Sequence, residues 1–147
     1  MIGLVVNEQR VVDLKAKDKK TAICELVGLM AQGGYIQRPD EACKALLERE
    51  KILSTGIGLE IAVPHARLET VDKIIMAMGR QKAGIPFDAI DGKPVKLLFL
   101  IVGPEAAQRQ YLKLLARIVQ VIKKSRLREK LLKAADAKEM YSILKLY

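Results

Sequence analysis

The stretch Val95-Lys96-Leu97-Leu98-Phe99-Leu100-Ile101-Val102 is apolar at almost every position, and Pro94 and Gly103-Pro104 bound it. Successive side chains of a strand point to opposite faces, so a strand of this composition has to be covered on both. Ile61-Ala62-Val63 and Ile74 to Gly79 have the same character, each short and closed by Gly, Pro or a charge. Asp91-Gly92 marks a turn ahead of the last run. A chain with such strands in its middle third needs helices for both faces of a sheet.

The outer thirds supply them. From Asp18, a plausible N-cap, to Gln32, the residues Ile23, Leu26, Val27 and Met30 recur at i, i+3, i+4 and i+7, and Gly33-Gly34 stops the helix. A second helix starts near Pro39-Asp40, buries Cys43, Leu46 and Leu47, and delivers Arg49 and Glu50 to its end. After the strands, Leu112, Leu115, Ile118, Val119 and Ile122 form one face of a long helix. Ser125 is placed to cap a shorter helix, and Asp136-x-x-Glu139 reads as a capping box before a last helix carrying Met140, Ile143 and Leu144. Helices, strands and helices again predict an α/β fold, a three-layer α/β/α sandwich with a mixed central sheet, as a single domain over residues 1–147.

No apolar run approaches the ~20 residues that span a bilayer, and the N-terminus has no basic region ahead of its apolar patch, so a cytoplasmic address is expected. Cys24 and Cys43 fall among apolar neighbours at helical spacing and read as reduced core residues. The single histidine excludes a multi-His metal site by counting, and no C-x-x-C spacing supports zinc. Net charge is +9, and Lys113, Arg117, Lys123, Lys124, Arg126, Arg128, Lys130 and Lys133 against Glu129 carry +7 of it. These cations lie on helices whose apolar stripes serve the core, without interleaved aromatics, so a solvated basic face is expected rather than a nucleic-acid interface.

One segment is neither ordinary core nor ordinary loop: Arg49-Glu50-Lys51-Ile52-Leu53-Ser54-Thr55-Gly56-Ile57-Gly58-Leu59-Glu60-Ile61-Ala62-Val63-Pro64-His65-Ala66-Arg67. Its glycines permit positive φ and close approach of main-chain N–H groups to an anion. Ser54 and Thr55 can donate to phosphate oxygens, and Arg49 offers a fixed fork of donors. Pro64 cannot donate to a central ladder, so His65 belongs at a strand end or edge. No G-x-S-x-G elbow accompanies the histidine, which disfavours hydrolase chemistry.

The run R-E-x-x-x-S-T-G-I-G-x-x-I-A-V-P-H resembles the signature of the IIA phosphocarrier domains of the bacterial sugar phosphotransferase system, fructose/mannitol class, which includes the nitrogen-regulatory IIA proteins. The likeness extends to G-I-P-F-D-A-I-D-G-K-P-V from Gly84 and to Y-L-K-L-L-A-R-I from Tyr111. It implies an α/β/α domain that accepts a phosphoryl group on His65 from the histidine-containing phosphocarrier protein. The group then passes to a IIB domain, or the phosphorylation state acts on a regulated target protein; a membrane enters only through a transporter partner. No metal or organic cofactor is implied, since one histidine exchanges with another. Arg49 would keep the ring neutral before transfer and pair with the phosphoryl group afterwards. Ser54 and Thr55 would orient the ring or bind phosphoryl oxygens.

The chain departs from the family pattern at Glu60, where glycine is common, and at Tyr111, where many members carry a second histidine. Glu60 costs about 1 kcal/mol if the backbone there needs positive φ, and its carboxylate either faces the site or points away. Tyr111 is either a partly buried helix residue or a hydroxyl donor that replaces one function of an imidazole. A regulatory protein-binding module with weak or lost phosphotransfer is the alternative function.

Overall fold

The computed structural model describes residues 2–147. Its elements are β1 (Val11–Asp13), α1 (Lys19–Gln32), α2 (Pro39–Ile52), β2 (Gly56–Gly58), β3 (Ile61–Ala62), β4 (His65–Leu68), β5 (Ile75–Ile85), β6 (Val95–Pro104), α3 (Gln108–Ile122), α4 (Ser125–Lys133) and α5 (Ala137–Leu144). The strands form one mixed six-stranded sheet of order β1-β5-β6-β3-β2, with β4 also paired to β6. β5 and β6 are antiparallel neighbours, while β3 and β4 both run parallel to β6, opposite Leu97–Leu98 and Ile101–Pro104 respectively. No described helix is long and apolar enough to cross a membrane.

The strand alternation divides the core as the sequence requires. Leu98, Leu100 and Val102 of β6 and Ile75 and Ala77 of β5 pack with Ile23, Leu26, Val27 and Met30 of α1 and Leu46 of α2. Leu97, Phe99 and Ile101, with Met76 and Met78, pack on the other face with Ile118, Ile122, Leu127, Leu131, Met140 and Leu144. All six β6 side chains named are fully buried, which accounts for an apolar run without a polar face. The three-layer expectation therefore holds.

Capping agrees with the sequence at one site and shifts at two others. Asp18 accepts from the Thr21 amide at 2.8 Å and starts α1, which ends at Gly33 with Gly34 at φ +79°. Ser125, expected as a cap, is instead the first residue of α4; Lys124 occupies the cap position and supplies no side-chain bond. In the C-terminal box, Asp136 accepts from Glu139 N, but the Glu139 carboxylate reaches Ala135 N, one residue earlier than the reciprocal bond of a capping box. Leu112 also departs from expectation: it is exposed, and the buried stripe of α3 runs through Tyr111, Ile118 and Ile122. Cys24 and Cys43 are both free and half-buried, and burial, with the hydrogen bond that the Cys43 thiol makes to Cys24, pushes the Cys43 thiol up to about 12.

A buried cation ties the N-terminal strand to the last helices. Arg80 of β5 is fully buried and binds Asp13 of β1 through Nε (2.7 Å) and Nη2 (3.0 Å). Its Nη1 donates to the carbonyls of Leu131 (2.7 Å) and Ala134 (2.8 Å) at the end of α4, satisfying groups that a helix C-terminus leaves open.

Between β2 and β3 the chain reverses through Leu59 (φ 60°) and Glu60 (φ 64°), with Gly58 opposite Ile61. Positive φ at both central residues of a two-residue hairpin loop is the type I′ pattern, which ordinarily favours Asn-Gly. Glu60 thus does occupy the left-handed region. Its carboxylate ion-pairs with Lys96 at 2.8 Å and is directed to β6, so it points away from the histidine.

Candidate functional site

Pro64 interrupts the edge of the sheet. β3 ends at Ala62, the Pro64 carbonyl accepts from Ile101 N at 2.9 Å, and β4 begins at His65 opposite Ile101. Only β6 pairs with β4 among the described strands, so His65 stands at a sheet edge, as the proline predicted.

His65 lines a cleft of about 560 Å³ with Ala45, Arg49, Ala66, Arg67, Glu105, Tyr111 and Leu112. α2 contributes Ala45 and Arg49, four residues apart on one helix face. The start of α3 contributes Tyr111 and Leu112.

The imidazole is held by its own chain. Nδ1 lies 2.8 Å from the Val63 carbonyl, which can only accept, so Nδ1 carries the proton and Nε2 keeps the lone pair. Val63 N in turn donates to the Thr55 carbonyl at 3.0 Å. Thr55 is fixed by Glu50, whose carboxylate accepts from the Thr55 amide (3.0 Å) and from its hydroxyl. Lys19 Nζ closes the network at 3.0 Å from Glu50, which is buried. A series of hydrogen bonds therefore runs from Glu50 through Thr55 and Val63 to the ring.

The ring is half-buried, and burial lowers its pKa below the ordinary 6.5; the Val63 hydrogen bond opposes this, Arg49 adds to the lowering, and Glu50 opposes it. Arg49 donates from Nη1 to the Leu53 carbonyl at 2.9 Å, which steadies its guanidinium at the helix end. Arg67 donates from Nη1 to the Glu105 carbonyl at 3.2 Å. Tyr111 is 3% exposed, and its hydroxyl is buried without a hydrogen-bond partner. Burial raises the phenol pKa well above the ordinary 10, against the influence of Arg67 and Arg49, so the hydroxyl keeps its proton. Two guanidinium groups and a neutral imidazole thus meet at one cleft, beside Tyr111 and Glu105; the guanidinium groups are donors suited to a compact dianion, and the imidazole presents its Nε2 lone pair.

Of the residues expected at the site, the fold brings His65, Arg49 and Tyr111 together and holds Thr55 and Ser54 apart. The Thr55 side chain is engaged by Glu50 and does not line the cleft. Ser54 Oγ donates to the Phe87 carbonyl at 2.7 Å and accepts from Gly56 N, which shapes the turn rather than the cleft. Sequence reading missed Arg67 and Glu50. Both had a signal: Arg67 lies two residues after His65, hence on the same face of a strand, and Glu50 continues the buried series Ala42, Leu46 on α2, a carboxylate on an apolar stripe.

The chain from residue 4 to 147 matches the model of the family described as phosphoenolpyruvate-dependent sugar phosphotransferase system, EIIA 2. It is 37% identical to a nitrogen regulatory protein of Bradyrhizobium diazoefficiens over 97% of this chain and 93% of that one. It is 39% identical to the fructose-specific EIIA component of Haloferax volcanii over 86% of this chain and 82% of that one. The crystal structure of nitrogen regulatory protein IIA-Ntr from Neisseria meningitidis superposes with a TM-score of 0.87 at 31% identity, covering 97% of this chain and 98% of that one. Escherichia coli mannitol IIA, solved in a complex with phosphorylated mannitol IIB, shares the fold at a TM-score of 0.78 and 23% identity, over 97% and 98% of the two chains. A fructose-specific protein and nitrogen-regulatory proteins stand together among its relatives, and by its match over nearly its whole length the chain belongs to the EIIA 2 family of the phosphotransferase system.

Proposed function

We propose that His65 Nε2 accepts the phosphoryl group of a phosphorylated histidine-containing carrier protein and holds it as a phosphohistidine. The observation that carries this reading is the Nδ1 contact to Val63, which leaves Nε2 as the nucleophilic nitrogen of a ring that lines a cationic cleft. In the transfer the Nε2–P bond forms as the carrier's N–P bond breaks. The departing nitrogen keeps the bonding pair, and His65 retains its Nδ1 proton against Val63. One protonated phosphoimidazole replaces another, so no further acid or base is consumed.

Each residue has a distinct part. Arg49 and Arg67 bind the equatorial oxygens, whose charge spreads in a loose transition state, and the Tyr111 hydroxyl donates to a third position. Thr55 positions the ring through its backbone and Glu50 positions Thr55. Ser54 acts on the turn. The phosphoryl group passes in the cytoplasm to a IIB domain, or its presence on His65 controls a target protein; the nitrogen-regulatory relatives favour the second outlet. Residues 1–147 act as one unit in this scheme.

The test is intact-mass and phosphorus NMR analysis after mixing the protein with phosphoenolpyruvate, the first enzyme of the system and the carrier, beside a His65→Ala variant. Acid-labile gain of one phosphoryl group by the unmodified protein alone is the expected result. Absence of transfer to folded protein refutes the reading and leaves a phosphorylation-independent binding module.

A further inference from the structure

We infer that the outward face of α3 is the docking surface for the protein that delivers the phosphoryl group, and that this donor meets it with an acidic face. The inference rests on the phosphoryl-acceptor reading of His65 and adds what the partner must look like.

Arg109, Lys113, Arg117 and Lys124 are all exposed. At 3.6 residues per turn Arg109, Lys113 and Arg117 fall within about 80° of one another, opposite the buried stripe of Tyr111, Ile118 and Ile122. At ~1.5 Å per residue the three cations of α3 extend about 12 Å along it, and Lys124 follows just beyond its C-cap, ahead of α4. α3 contains no acidic residue, and none of the four cations takes part in an ion pair among the described residues. Uncompensated like charges in a row repel one another, and a chain that keeps them has an interaction surface ready for the opposite sign.

Its position chooses the occupant. Leu112 lines the His65 cleft yet is 52% exposed, and it lies between Arg109 and Lys113 in sequence at the lip. Only the Arg109 end of the row adjoins that lip, so a macromolecule seated on the row reaches the cleft mouth, where a phosphoryl donor has to be, from that end. An apolar spot at the cleft beside a basic row asks for a protein face with an apolar centre and an acidic margin. Nucleic acid fits less well, because no aromatic side chain is exposed along the row for bases to stack on. The geometry also supplies release: a dianion added at His65 lowers the positive potential at that end of the row, which weakens the hold on a carrier that has just given up its phosphoryl group.

The experiment follows phosphoryl transfer from the phosphorylated carrier encoded in the same genome, as a function of ionic strength, to the unmodified protein and to the Lys113→Glu/Arg117→Glu variant. A Lys113→Gln/Arg117→Gln variant provides a milder perturbation. A parallel arm uses phosphoramidate, which needs no docking: its P–N bond breaks, ammonia leaves and the phosphoryl group goes to His65. The expected result is a second-order rate constant at least about 10-fold lower for the Glu variant at roughly 50 mM ionic strength, closing to within about 3-fold near 0.5 M. The Gln variant falls between, and phosphoramidate labels all three proteins equally. Equal carrier rates in all three at low ionic strength overturn the docking surface while His65 remains an acceptor. Random-sequence duplex DNA that binds the row near 150 mM salt, with carrier rates unchanged by the substitutions, overturns it in favour of nucleic acid. Failure of both donors to label the unmodified, folded protein overturns the acceptor reading itself, and this inference with it.

Discussion

Replacing Glu60 by glycine and, separately, by alanine isolates the strain in the β2–β3 turn. Glu60 lies at φ 64° in the second central position of the turn, and its carboxylate pairs with Lys96 across a surface where both side chains are about one-third exposed. A left-handed residue with a Cβ costs roughly 1–2 kcal/mol relative to a relaxed conformation. Glycine removes that cost but adds about 0.5–1 kcal/mol of chain entropy lost on folding. The exposed ion pair contributes about 0–1 kcal/mol, and both substitutions delete it equally. The difference between the two variants is then free of the pair: Glu60→Gly should be more stable than Glu60→Ala by about 0.5–1 kcal/mol. Relative to the unmodified protein, Glu60→Ala should be equal or up to about 1 kcal/mol weaker. For a chain of this length the variants should differ by roughly 1–4 °C in melting temperature. Calorimetry or urea titration with equal m-values decides the matter. An alanine variant as stable as the glycine variant, or more so, would refute the claim that the left-handed backbone is strained. Because the Glu60 carboxylate faces Lys96 rather than the cleft, phosphoryl acceptance should change by less than about 2-fold in either variant.

Two further expectations follow from burial and charge. The His65 ring should titrate by NMR below its ordinary 6.5, and Arg49→Gln should move the midpoint upward, since Arg49 is one of the groups holding it down. With the folded value depressed, the unfolded chain takes up the proton first as pH falls. This contribution to stability is therefore complete above the unfolded value near 6.5 and is lost as pH drops through the folded one; phosphoryl acceptance should stay level down to pH 6.5. A midpoint at or above 6.5 contradicts the burial account. Arg80→Leu should lower stability by about 3 kcal/mol, read from the urea midpoint, because it strands the carbonyls of Leu131 and Ala134 and leaves Asp13 to water. A loss under about 1 kcal/mol would mean those carbonyls find other donors.

Long-range charge and local periodicity were legible to different degrees. α1 could be placed almost to the residue because Asp18, the apolar spacing and Gly33-Gly34 are local signals. β1, β2 and β4 were not recognised as strands, since each is only three or four residues long; β1 and β4 owe their extended state to a neighbour far away in sequence, Val11 to Met78 and His65 to Ile101, and β2 to a hairpin loop without the usual Asn-Gly signal. Leu112 illustrates the same limit on a helix, where its place in an apolar row did not reveal that Tyr111 would take the buried direction. At the site, the signature identified His65 and Arg49 as neighbours across sixteen residues, which no periodicity could have done. It overstated Ser54 and Thr55 because hydroxyls beside glycines suit either an anion or a turn, and Glu50 and Phe87 claim them for the turn. The direction of the Glu60 carboxylate depended on Lys96 of β6, a partner that only tertiary pairing supplies.

The late position of β6 in the chain has a consequence for biosynthesis. α1 and α2 are complete by Ile52, yet the strands that cover their apolar faces end only at Pro104. At ribosomal rates of ~5–20 residues per second, the nascent helical pair waits about 3–10 seconds with Leu26, Met30 and Leu46 uncovered. The opposite helical layer has no such interval, because α3, α4 and α5 emerge after a sheet is available to receive them. A ribosome-associated chaperone should therefore dwell on chains arrested between Ile52 and Pro104 and let go once the β5–β6 pair clears the exit tunnel.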